Sequence, residues 1–124
     1  MANILVYVSG TALILWGVAH LVPTRQIVSS FGAISTDNRR ILTMEWIAEG
    51  IVHISLGAIV ICVASLAGPN GFTADLVYRG FAALLVAIAV LTTFTGARAP
   101  VIWFKICPFV LVGAATLLLV RSWI

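Results

Sequence analysis

Three ionisable side chains recur at four-residue steps inside an apolar stretch: Glu45, Glu49 and His53 of Glu45-Trp46-Ile47-Ala48-Glu49-Gly50-Ile51-Val52-His53. That spacing stacks them as one stripe on a helix face. Carboxylates and an imidazole in such a row can take up, hold and release protons, which is the chemistry of a general acid or base. Hydrocarbon penalises each ionisable group by about 2.5–3.5 kcal/mol even on the most lenient insertion scale. The stripe is therefore expected to face a bundle interior or a wet cavity.

The elements that must position this stripe follow from composition. Of 124 residues, 62% are hydrophobic and only 9% charged, with a mean hydropathy of +1.17. A soluble domain carries about 25% charged residues, so these few charges cannot coat a globule. A bilayer core about 30 Å thick takes a helix of roughly 20 residues. The sequence predicts an all-α, four-helix transmembrane bundle in a single integral membrane domain. Its spans are expected over 3–22, 39–66, 75–95 and 99–120, with a short interfacial helix over Gln26–Phe31. Pro23 is expected to stop the first span, and Asp37 or Asn38 to cap the second. Gly68-Pro69-Asn70-Gly71 marks a turn, Gly96 a helix stop, and Pro100 a first-turn position in the last span. Pro108 is expected to kink that span, and Gly10, Gly17, Gly50, Gly57 and Gly113 to be points of close helix packing.

The net charge of +3 comes from residues scattered at span ends. There is no basic run with interleaved aromatics, so nucleic acid is not an expected partner. Arg25, Arg39, Arg40 and Arg98 share one side, and Arg79 and Arg121 the other. The positive-inside rule then puts the richer side in the cytoplasm and both termini outside. Nothing positive precedes the first apolar run, so it reads as a retained span rather than a secretory signal. Cys62 and Cys107 form no CxxC pair.

Depth counted at about 1.5 Å per residue suggests which residues meet the stripe. From Arg39, Glu45 lies roughly 9 Å deep, Glu49 roughly 15 Å and His53 roughly 21 Å. Lys105 falls near 9 Å, Thr92 and Thr93 near 6 Å, and His20 near 3 Å on the same rise. These residues, with Trp16, Trp46 and Trp103, make one expected cluster in the cytoplasmic half. Lys105 is expected to pair with Glu45, since opposite charges at one depth offset each other's desolvation. That leaves Glu49 as the working acid/base, with Glu45, His53 and Lys105 around it. His20, Thr92, Thr93 and the three tryptophans are expected to line the pocket. His20 and His53 come out roughly 18 Å apart along the membrane normal, which argues against joint ligation of a haem iron. No cofactor motif occurs and no metal site is expected. A single ion on His20, Glu45 and Glu49 is the nearest approach to one.

Gly10 and Gly17, then Pro23 and a connection with Phe31-Gly32, then Glu49-Gly50 and Gly57, resemble the small DoxX-like membrane proteins. The resemblance implies four helices and a bacterial inner membrane, and brings no catalytic residue with it. The reading that follows is a lipophilic small molecule or lipid bound from the bilayer, with cofactor-independent acid/base chemistry such as isomerisation, hydration or epoxide opening. A proton-coupled carrier or channel built as a homo-oligomer is the alternative. A non-catalytic packing subunit of a larger membrane complex is a third.

Overall fold

A computed structural model describes residues 2–66 and 71–124. Its elements are α1 (Ala2–Leu21), α2 (Thr24–Ser29), α3 (Thr36–Leu66), α4 (Phe72–Phe94), a 3-10 turn (Gly96–Arg98) and α5 (Ile102–Arg121). No strand occurs among the described residues. α1, α3, α4 and α5 are each long and apolar enough to cross a membrane. The chain is thus an all-α four-helix bundle, and its composition makes it an integral membrane protein. The Gly68-Pro69-Asn70 part of the expected turn lies outside the described residues.

The helix ends differ from expectation by a few residues, each for a local reason. α1 ends at Leu21, where Thr24 donates its hydroxyl to the Leu21 and His20 carbonyls at 2.8 and 3.1 Å. Pro23 opens α2 instead of merely ending α1, since its carbonyl accepts the Ile27 amide at 2.9 Å. α2 sits two residues earlier than expected and buries Ile27 and Val28 against α3. Gly32, at φ +73°, turns the chain back in a conformation that favours glycine. Ser35, not Asp37 or Asn38, caps α3: its hydroxyl accepts the Asn38 amide at 3.1 Å. α4 spans 72–94, ending before Gly96, and α5 starts after Pro100 with Val101 as its cap. α5 continues as helix through Pro108.

α1 and α3 form the closest pair, and their glycines explain why. A Cβ on Gly17 would lie 2.6 Å from the Gly50 carbonyl oxygen, and one on Gly50 would lie 3.0 Å from that of Gly17. Gly10 and Gly57 meet in the same reciprocal way. Seven residues separate the glycines in each helix, so both pairs obey one antiparallel register. Gly113 has open space around it and is not a packing point.

α5 packs on α1 and α4, and Ser9 ties α1 to α5 through the Ala114 carbonyl at 3.0 Å. The half of the bundle near the termini is filled by Val6, Leu13, Tyr78, Leu85, Leu111 and Leu118, all fully buried. Arg121 closes that end, 3.5 Å from Asp75 and 3.4 Å from the Asn3 amide oxygen. α3 and α4 touch only sparingly. The ring of helices is therefore open between them, in the half away from the termini.

Candidate functional site

The gap between α3 and α4 is a cleft of about 440 Å³. Its polar lining comes from His20 of α1, Glu45, Glu49 and His53 of α3, Thr92 of α4, Thr95 just after it and Cys107 of α5. The apolar lining includes Val52, Ile88, Leu91 and Phe104. Among the described residues no lysine or arginine lines it.

His20 is the hinge of the site. It is 4% exposed, with its ring stacked on Trp46 at 4.6 Å and edge-on to Trp16 at 5.4 Å. The Trp46 indole N–H donates to the His20 carbonyl. Nδ1 of His20 lies 3.0 Å from the Trp16 carbonyl oxygen. A carbonyl only accepts, so Nδ1 carries a proton and donates it there. That leaves Nε2 facing Glu49, whose Oε1 is 3.7 Å away. In neutral imidazole Nε2 is a lone pair, and carboxylate oxygens are lone pairs too. Two such atoms facing each other at this distance call for a proton or a cation between them.

His53 lies deeper on the same wall. It is fully buried, and neither ring nitrogen has a hydrogen-bond partner among the described residues. Its ring centroid is 5.4 Å from that of His20. The expected separation of roughly 18 Å is therefore wrong, and with it the distance argument against joint ligation. The error lay in starting both spans at the same level. α3 has 31 residues, about 46 Å of helix, and its first turns overhang the end of α1. The glycine register sets His20 opposite Ile47, whereas depth counting set it opposite residue 41. The six-residue difference is about 9 Å. Side chains also lean toward their own helix N-terminus, so in an antiparallel pair His20 and His53 tilt toward each other.

Lys105 is the second correction. It does not pair with Glu45; among the described residues the ion pairs are His20–Glu49, Asp37–Arg40 and Asp75–Arg121. Lys105 lines a separate groove with Thr93, Ala97, Pro108, Phe109 and Val112. Two residues along a helix turn it by about 200°, so a helix that points Cys107 into the cleft points Lys105 away from it. Thr93 is turned out of the cleft in the same manner, while Thr92 stays in it. Trp16 and Trp46 are buried against His20, but Trp103 is 45% exposed and reaches only Trp16, at 6.5 Å. Glu45 is exposed at the rim of the cleft.

Cys107 and Phe104 are site residues absent from the expected cluster, although Cys107 falls at about 12 Å on the same rise. Their three-residue spacing on one face of α5 was a signal for both. The Cys107 thiol is buried. One donor atom each from His20, Glu49 and Cys107 all lie within 4.8 Å of one another.

Comparison with protein-family models, with curated proteins and with solved structures found no match. The likeness to DoxX-like proteins stands on the sequence features alone. The class defined by fold and cleft is a small four-helix integral membrane protein with a buried histidine facing a partly exposed glutamate beside a lateral opening.

Proposed function

We propose that the protein binds a lipophilic small molecule, which enters from the bilayer between α3 and α4, and performs acid/base chemistry on it. The observation that carries this reading is the His20–Glu49 pair, 3.7 Å apart on the wall of a largely apolar cleft. At about 440 Å³ the cleft falls within the ~300–1,000 Å³ of small-molecule sites. An apolar lining with a few convergent polar groups is the usual make-up of such sites.

The pair suits a proton relocation. Glu49, as carboxylate, takes a proton from one position of the ligand while His20, as imidazolium, gives one to another. Proton exchange between Glu49 and His20 across the gap then restores both groups. Isomerisation, hydration and epoxide opening all need this donor–acceptor combination and no cofactor. Thr92 donates its hydroxyl to the Ile88 carbonyl at 2.8 Å, so its oxygen lone pairs remain to orient a ligand hydroxyl.

The carrier reading is the weaker one. A carrier needs a polar route to both faces, and the half near the termini is closed by fully buried apolar side chains. The arginine asymmetry supports an orientation with both termini outside and the cleft in the cytoplasmic half; a bacterial inner membrane is what the DoxX-like resemblance implies.

Photolabelling with a lipophilic diazirine in lipid nanodiscs tests the proposal. Label is expected on Val52, Leu91 and Phe104, and is expected to fall at least fivefold when Leu91→Trp plugs the cleft. Labelling spread evenly over all lipid-facing positions, unchanged by Leu91→Trp, would overturn it.

A further inference from the structure

We propose that His20 Nε2, a Glu49 carboxylate oxygen and Cys107 Sγ form a binding site for a divalent transition-metal ion of the zinc type, with a fourth position open to the cleft. The inference concerns the cleft of the preceding reading but does not rest on a lipophilic ligand or on the proton pair. His20 Nε2 cannot hold an ion and donate a proton to Glu49 or a ligand at once, so the metal-loaded protein is a state separate from the proton-exchanging one. A metal titration fails or succeeds independently of photolabelling.

The donor set is the first argument. Imidazole nitrogen, thiolate and carboxylate are the three protein ligand types of zinc, and sites with three protein ligands leave the fourth position for water or substrate. The three donor atoms already lie within 4.8 Å of one another. With Zn–N and Zn–O near 2.0–2.2 Å and Zn–S near 2.3 Å, tetrahedral edges are about 3.3–3.8 Å. The His20–Glu49 edge is 3.7 Å as it stands. The two edges to Cys107 are at most 4.8 Å and so need to shorten by about 1 Å at most. Glu49, about one-third exposed, can follow, and the His20–Cys107 edge closes only by adjustment of Cys107 or His20.

The support around the donors is the second argument. Metal-bound histidines almost always donate their other N–H to a carbonyl or carboxylate, which fixes the tautomer. His20 does so, with Nδ1 on the Trp16 carbonyl at 3.0 Å and its ring held by Trp46. The site is thereby oriented with its lone pair outward before any ion arrives.

Charge is the third. A dication with one thiolate and one carboxylate is neutral overall, the only net charge that an apolar surround accepts without a large penalty. Binding releases the Cys107 thiol proton, and the metal–sulfur bond takes its place. Among the described residues no lysine or arginine lines the cleft to oppose the ion. His53, fully buried with both nitrogens unpartnered and ring-to-ring with His20, lines the same cleft.

The test uses the full chain in detergent, stripped of metal, with Co²⁺ as the spectroscopic stand-in for Zn²⁺. One equivalent of Co²⁺ is expected to give a thiolate-to-cobalt charge-transfer band in the near ultraviolet, displaced by Zn²⁺. Cys107→Ser should abolish the band, Cys62→Ser should leave it intact, and His20→Gln should weaken Co²⁺ affinity at least tenfold. If Cys107→Ser does not fold, zinc-edge absorption of the Cys62→Ser protein answers instead, with one sulfur expected at about 2.3 Å. Absence of the band, its loss in Cys62→Ser, or a zinc shell without sulfur would overturn the assignment.

Discussion

Replacing His53 by leucine should make the protein more stable while removing its function. His53 is fully buried and neither ring nitrogen has a partner among the described residues. A neutral imidazole carries one donor and one acceptor. The Glu49 backbone one turn back is near the ring but outside good hydrogen-bond geometry, and leaving either ring group buried and unsatisfied costs about 1–3 kcal/mol. Leucine fills similar space with no polar atom. The unfolded chain in a micelle finds some polar partners of its own, which reduces the gain. The net expectation for His53→Leu is about 1–3 kcal/mol of added stability. Equilibrium unfolding in mixed micelles, titrated with dodecyl sulfate and followed by Trp fluorescence, reads this directly. Leu85→Ala, in the fully buried core, provides the scale in the opposite direction at about 2–5 kcal/mol lost. A loss of more than 1 kcal/mol in His53→Leu would refute the reasoning, because it would make His53 a satisfied structural residue.

Three further predictions follow from the packing. Gly17→Val sets a Cβ 2.6 Å from the Gly50 carbonyl oxygen; backbone cannot rotate aside, so α1 and α3 must part. The same unfolding assay should show about 1–3 kcal/mol lost, and diazirine labelling of the cleft should fall with it. Lys105→Met should leave stability unchanged or raise it, because Lys105 is exposed within a membrane span, pairs with no carboxylate among the described residues, and methionine removes an ionisable group that hydrocarbon disfavours. Asp75→Ala removes the carboxylate 3.5 Å from the buried Arg121. Its cost should be about 1–3 kcal/mol, below that of a fully buried pair because Asp75 is partly exposed.

Much of the architecture is legible in the amino-acid order because the bilayer limits the choices. Apolar runs separated by Pro23, Gly32 and Pro100 leave little alternative to four long helices. The end of α1 and the start of α3 shift where a hydroxyl, of Thr24 or Ser35, captures a backbone group, and α4 and α5 start about three residues from the expected positions. The site is legible in part. Glu49, His53, His20, Thr92 and Trp46 do gather, since a helix stripe of ionisable groups has to turn inward. What depth along the membrane normal cannot supply is direction around each helix. Lys105 and Thr93 match the stripe in depth and still face another groove, each adjacent or nearly so to a residue that faces the cleft. The register of α1 on α3 was also written in the chain, as glycine pairs seven residues apart in both helices. Pairing Gly17 with Gly50 brings His20 beside Trp46 and Glu49, whereas counting from the helix ends separates them.

The central claim is that the cleft between α3 and α4 is an open binding site with His20 and Glu49 on its wall. An experimental structure of the full chain in a lipid nanodisc tests it most directly. The account predicts α3 and α4 apart at Val52 and Leu91, with non-protein density within about 4 Å of Glu49, a spacing set by ordinary contact distance. Helices α3 and α4 packed against each other, with Glu49 turned to the acyl chains and no density beside His20, would contradict it.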